Sequence, residues 1–253
     1  MTTYSQQLQY IGTPTFDKVR NLAINSLRML SRETIDRLHN RINHGVDILT
    51  EEQQMWVYLY SFGKMHQEKL KVAFENIPTD FFEQSNIRII DYGCGQAIGT
   101  MCYADFLKRN NYEQNIERIT LIEPSEICLK RASLHASIFF PNAKIHIVKK
   151  TFDQLRCGDI IYEKSIPTLH ILSNVLDLEC FDLKNFVTLL KKSLKGYNQF
   201  VCVGPYFRNQ NRDNRMKAFS SVLGDKENYS KIFEVLHNLF LHQFLIAMLL
   251  SYY

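Results

Sequence analysis

Apolar side chains recur every three or four positions through the first part of the chain: Val19, Leu22, Ala23, Leu27 and Leu30, then Ile35, Leu38 and Ile42 before Gly45. That spacing gathers them on one stripe of a helix, so the chain from Phe16 to about Ile77 is expected to be helical. A third helix is expected to begin after Thr50, where Glu51 and Glu52 set negative charge against the positive end of the helix dipole. It should run through Trp56, Leu59, Tyr60 and Met65 towards Phe74, and Pro78, which has no amide hydrogen to donate, ends the pattern.

From Asn86 the period changes. Short β-branched runs at 87–91, 119–123, 144–148, 168–172 and 200–203 alternate with helical stretches at 98–107 and 127–138. A further helix carries Leu183, Phe186, Val187, Leu190 and Leu194 on one face, with Gly196 just past its end. Strands that alternate with helices imply parallel strands joined by right-handed crossovers. The expected architecture is therefore α/β: a helical extension over residues 1–80, then a domain over 81–253 whose mostly parallel sheet has helices on both faces.

Composition narrows the setting. Of 253 residues 45% are hydrophobic and 22% charged, which suits a folded chain. A net charge of +4 is too small to argue for a nucleic-acid partner. The six cysteines contain no CxxC pair, and the eight histidines show no ligand spacing, so no metal is expected and the thiols read as those of a reduced, cytoplasmic protein. The first residues lack the basic and apolar segments of an export signal. The apolar run from Leu239 to Leu250 is broken by His242 and Gln243 and falls short of the roughly 20 residues a bilayer needs. It reads as a buried helix or strand, or as a contact in a homodimer, and no membrane association is expected.

The chemistry concentrates in Ile89-Ile-Asp91-Tyr-Gly93-Cys94-Gly95-Gln-Ala-Ile-Gly99, at an expected strand-to-helix turn. Glycines there permit a tight turn and a close ligand, and the helix N-terminus adds partial positive charge. Two details select the ligand. The dinucleotide pattern GxGxxG would need glycine at position 98, which is Ile98. Asp91 would also repel a nearby pyrophosphate, since like charges 4 Å apart repel by about 4 kcal/mol at an effective dielectric near 20. A dinucleotide-dependent oxidoreductase is disfavoured, and a cationic nucleoside without phosphate, such as S-adenosylmethionine (SAM), is favoured. Glu123, ending the second strand, is positioned to accept hydrogen bonds from ribose hydroxyls.

Asp91-Tyr92-Gly93-Cys94-Gly95 resembles the first motif of class I (Rossmann-like) SAM-dependent methyltransferases, and Glu123 matches the acid at the end of their second strand. The resemblance covers about residues 86 to 205. It implies SAM as cofactor, S-adenosylhomocysteine (SAH) as product, and methyl transfer to an acceptor that is RNA, a small molecule or a protein. By position it implies cofactor contacts from Asp91, Gly93, Cys94, Gly95, Glu123 and Pro124, with Phe152 on the adenine ring and Asp153 at its amino group. After the fourth strand, Ser173 and Asn174 would face cofactor and substrate, with Asn174 and Asp177 the catalytic candidates and helix capping their alternative role.

A looser likeness to methyltransferases related to the mitochondrial ribosomal small subunit suggests that Lys64 or His66, on the helix before the glycine turn, caps the cofactor carboxylate. The sequence departs from the family in three ways. Ala97 replaces a commoner glycine, 32 residues separate Asp91 from Glu123 so that 110–115 is expected to be an extended loop, and two further strands are not both placed within 208–253. Arg208, Arg212, Arg215 and Lys217 read as a solvated helix face, with phosphate contact as the alternative. Because no acceptor-activating base stands out on the fourth strand, a non-catalytic SAM-binding or scaffold protein of the same fold is the rival reading.

Overall fold

The computed structural model describes residues 4–160, 163–206, 212–223, 229–238 and 244–252. Five helices open the chain: α1 (Tyr4–Gln9), α2 (Phe16–Leu27), α3 (Arg32–Arg41), α4 (Glu52–Glu75) and the short α5 (Thr79–Phe82). Their ends follow from side chains that satisfy free amides. The hydroxyls of Thr15 and Ser31 accept from the amides of Lys18 and Thr34, and the Gln54 side chain accepts from the amides of Thr50 and Glu51. Glu51, one residue later than expected, therefore caps α4.

The remainder is β1 (Asn86–Tyr92), α6 (Ile98–Arg109), β2 (Asn115–Ile122), α7 (Glu126–Phe139), β3 (Lys144–Val148), β4 (Thr168–Ser173), α8 (Leu183–Ser193), β5 (Asn198–Tyr206), α9 (Arg212–Leu223), β6 (Tyr229–Asn238) and β7 (Phe244–Tyr252). These strands form one sheet in the order β3-β2-β1-β4-β5-β7-β6. The first five are parallel, and β7 runs antiparallel to both β5 and β6. The C-terminal segment thus completes the sheet with the two strands that the sequence did not reveal. Residues 239–243 of the apolar run, and Arg208, lie outside the described residues.

Alternation along the strands sends side chains to two cores. Ile87, Ile89, Ile119, Leu121, Leu169 and Ile171 meet Leu70 and Phe74 of α4, Met101 and Phe106 of α6 and Leu129 of α7. The opposite face sends Ile90, Tyr92, Leu172, Phe200 and Cys202 against Phe186, Leu190 and Phe219 of α8 and α9. Leu8, Phe16, Val19 and Ala23 belong to the first of these cores, so the N-terminal helices are packed into the same layer as α6 and α7. The Phe16 amide also donates to the Asp105 carboxylate at 2.8 Å, joining α2 to α6.

The long interval between Asp91 and Glu123 has a plain cause. Helix α6 has 12 residues and β2 has eight, beginning at Asn115, four residues before the run read from sequence. The loop at 110–114 is held by Tyr112, stacked on Phe82 with ring centroids 4.3 Å apart.

Gly196, which closes the α8 to β5 turn, supplies a stability test away from the sheet's C-terminal edge. Its φ is +69°, and a Cβ there would collide with the Lys164 carbonyl oxygen. Gly196→Ala is expected to destabilise the fold by about 2–5 kcal/mol, from left-handed strain and overpacking together. Urea unfolding of the variant measures this directly.

Candidate functional site

Where neighbouring strands leave in opposite directions from β1 and β4, their C-terminal ends open a crevice, the usual ligand position in such sheets. A cavity of about 590 Å³ occupies it. Its walls are Gly93, Gly95 and Gln96 after β1; Ile122, Glu123 and Pro124 at the end of β2; Lys150 to Phe152 after β3; and Ser173 to Val175 after β4. Tyr58 of α4 and the 45–49 segment close another side.

The β1 to α6 turn has a conformation that few sequences tolerate. Gly93, Gly95 and Ala97 have φ values of 58°, 51° and 62°, in the left-handed region that favours glycine. A Cβ on Gly93 would stand 2.6 Å from Val175 Cγ1, whereas one on Gly95 would have no atom of the described residues within 4 Å. Gly95 therefore exposes bare backbone beside the cavity.

Asp91 lies beneath this turn. Its carboxylate accepts from the Thr100 amide at 3.1 Å and the Thr100 hydroxyl at 2.8 Å, and Asp91 is outside the cavity lining. In this way it satisfies the start of α6, where Ala97 has no polar side chain to cap the helix. Burial raises its pKa from the ordinary 3.8 to about 7, against the opposing effect of the Thr100 hydrogen bonds. Between about pH 4 and pH 7 the folded chain therefore holds a proton that the unfolded chain has released, so stability falls as pH rises through this window. Asp91→Asn, which can still accept from Thr100, is expected to flatten that fall when urea midpoints are compared at pH 5 and pH 7.5.

Glu123 reaches across from β2. Its two oxygens accept from the amides of Gly95 at 3.2 Å and Ser125 at 3.0 Å, and burial raises its pKa above the ordinary value. Ser125 caps α7 through the Cys128 amide and donates its hydroxyl proton to the Leu49 carbonyl at 2.5 Å, anchoring the 45–49 segment over the site.

Of the residues singled out from sequence, Gly93, Gly95, Glu123, Pro124, Phe152, Ser173 and Asn174 line the cavity together. Phe152 also packs on Phe181, with centroids 4.5 Å apart. Cys94 is buried outside the lining, its amide donating to the Ile122 carbonyl. Asp153 also lies outside, accepting from the Asp182 amide at 3.0 Å. Asp182, rather than Asn174 or Asp177, caps α8 through the Asn185 amide. Asp177 is buried and lies outside the cavity lining.

Lys64 is elsewhere. It pairs with Glu68 on the exposed face of α4 and lines a separate groove with Asp17 and Asp105, because its helical position turns it away from the sheet edge. His66 lies within hydrogen-bond reach of Asn174, 2.6 Å from Nδ1 to Nδ2, and of the Tyr58 hydroxyl at 3.2 Å. Arg215 donates to the carbonyls of Leu176 and Phe181, so it fastens the β4 to α8 connection, while Lys217 is exposed.

Sequence reading missed Tyr58, Lys69 and the 45–49 segment. Lys69 is 3% exposed and donates to Asn174 Oδ1 at 3.1 Å. A lysine among the charged residues 64–71 gives no local sign of burial, and 45–49 has no periodicity to mark it. Among the described residues no cluster of three or more His, Cys, Asp or Glu side chains is arranged to hold a metal, and no helix is long and apolar enough to cross a membrane.

Neither a family model nor a curated protein matches the chain. Solved structures do. The chain is similar to the plantazolicin methyltransferase BpumL in complex with SAH, at 12% identity and a TM-score of 0.54 over 88% of this chain and 99% of that one. It is similar also to the same enzyme with SAH and a monoazolic desmethylPZN analog, at 13% identity and a TM-score of 0.53 over the same shares. The fold is that of class I methyltransferases.

Proposed function

We propose that the chain is a cytoplasmic SAM-dependent methyltransferase acting on an RNA, a small molecule or a protein. The single observation that carries this reading is the pairing, across one cavity, of the bare backbone at Gly95 with the Glu123 carboxylate. The four buried free thiols, Cys94, Cys102, Cys128 and Cys202, suit a reducing compartment.

The residues present fit SAM. A space without side-chain atoms beside Gly95, an acid at the end of β2, and apolar walls from Ile122, Pro124 and Phe152 match a ligand with a ribose, an aromatic base and cationic groups. When bound, SAM supplies a methyl group on an already activated sulfonium, and SAH leaves. The protein's work is then mainly alignment in a dry pocket. Glu123 retains lone pairs for ribose hydroxyls beyond those given to Gly95 and Ser125. Phe152 offers its ring to the adenine, while Asp91, whose pKa burial raises to about 7 in the free protein, gains charge when a cation lies close to the turn. Asn174 and Ser173 stand where the acceptor would be oriented, and the nucleophilic N, O or C attacks in line.

Helices α1 to α5 act in this reading as a wall and lid, since α4 contributes Tyr58 and the 45–49 segment lies against the crevice. The likeness to the plantazolicin methyltransferase BpumL in complex with a monoazolic desmethylPZN analog and SAH supports catalysis over the scaffold rival. Ultraviolet cross-linking with methyl-labelled SAM tests the pocket: label is expected in peptides containing Gly93 to Gln96, Glu123 to Cys128 or Phe152. Label confined to the groove by Lys64 would reject it.

A further inference from the structure

A directed set of hydrogen bonds runs from the buried face of α4 to the cavity wall. An ammonium group only donates, so the Asn174 atom 3.1 Å from Lys69 Nζ is its oxygen, and the Asn174 nitrogen is left facing His66 Nδ1 at 2.6 Å and Ser173 Oγ at 3.1 Å. That amide nitrogen also only donates, so Nδ1 must be the bare, accepting nitrogen. Burial lowers the His66 pKa to about 3, which keeps the ring neutral, and its single proton then sits on Nε2. From there it points to the Tyr58 oxygen, 3.2 Å away.

With an oxygen lone pair so engaged, the Tyr58 hydroxyl proton is turned away from His66. Tyr58 lines the cavity, and burial raises its pKa, so it retains that proton. Asn174 is itself held in place: its φ is 56°, and its amide donates to the Val203 carbonyl at 2.7 Å. Lys69 keeps a pKa near 8, lowered by burial and partly restored by the Asp177 carboxylate, so its ammonium form predominates at neutral pH.

We propose that Lys69 is a positioning residue: by holding the Asn174 oxygen it fixes the His66 proton on Nε2 and makes the Tyr58 hydroxyl a hydrogen-bond donor to an oxygen of the bound ligand. The ligand half rests on the methyltransferase reading, while the proton order does not. Asn174→Asp reverses the order with almost no change in shape. A carboxylate accepts from Lys69 and also from His66 Nδ1, so the proton moves to Nδ1, Nε2 becomes an acceptor, and the Tyr58 proton turns back to it.

Long-range proton–nitrogen NMR of the histidines, with His66 assigned by His66→Gln, tests the order, and titration with SAH tests its consequence. Wild type should carry the His66 proton on Nε2, and Asn174→Asp should protonate Nδ1. Tyr58→Phe and Asn174→Asp should each weaken SAH binding about tenfold, with the double variant no weaker than either alone. Lys69→Met should give a mixture of His66 tautomers, and if it does not fold, Asn174→Asp still decides the matter. A wild-type proton on Nδ1, or an Asn174→Asp protein that keeps Nε2–H and full affinity, overturns the proposal. Failure of wild type to bind SAH while the NMR order holds would instead reject the methyltransferase reading.

Discussion

Glu123→Ala is expected to reduce SAH affinity by about 1.5–3 kcal/mol, roughly 10- to 150-fold, the range for hydrogen bonds made to a charged group. Two losses combine. The carboxylate no longer receives ribose hydroxyls, and the Gly95 amide, now without its 3.2 Å partner, is freer to leave the conformation that opens the turn to a ligand. Ser125 loses an acceptor as well, which loosens the cap of α7 and the link to Leu49. Glu123→Gln should separate these effects: its carbonyl oxygen can still accept one backbone amide, so the fold is better kept while affinity falls nearly as far. Calorimetric titration with both variants checks the order. Unaltered affinity in both, with thermal unfolding unchanged, would mean that the ligand site is elsewhere.

Gly93→Ala carries the largest combined effect. The added methyl meets Val175 Cγ1 at 2.6 Å, and the residue must still adopt a φ of 58°. Left-handed strain of about 1–2 kcal/mol and overpacking of about 1–3 kcal/mol predict a loss of roughly 2–5 kcal/mol in stability. Val175 belongs to the cavity wall, so relieving the clash displaces the segment that follows β4 and SAH binding should be abolished. Gly196→Ala, with a similar cost in stability but a position outside the lining, should leave affinity near wild type. Paired urea unfolding and titration of the two variants distinguishes a site defect from general destabilisation.

The five parallel strands were legible because each is a short run rich in apolar residues, β1 and β4 being buried over almost their whole length, and because helices with clear periodicity stand between β1 and β2, β2 and β3, and β4 and β5. The last two were not. In β6 the register shifts between Lys231 and Phe233, which interrupts the alternation that marks a strand, and β7 was an apolar run equally compatible with a helix. The glycine turn and Glu123 were readable because glycines and an acid at strand ends have few other uses in that pattern. The assignments for Lys64 and His66 show the limit of the method. They are two residues apart on one helix, and only the packing of α4 shows that one faces solvent and the other faces Asn174. The sequence marked Asp91 as a cofactor contact, whereas the structure places it beneath the turn and outside the cavity lining, accepting from Thr100 at the start of α6.

The central claim is that the cavity beside Gly95 and Glu123 takes SAM. Calorimetric titration of the intact chain with SAH, SAM and NAD in parallel tests it most directly. The account predicts micromolar binding of SAH and SAM at one site per chain and no heat with NAD. Binding of NAD, or of none of the three, would contradict it.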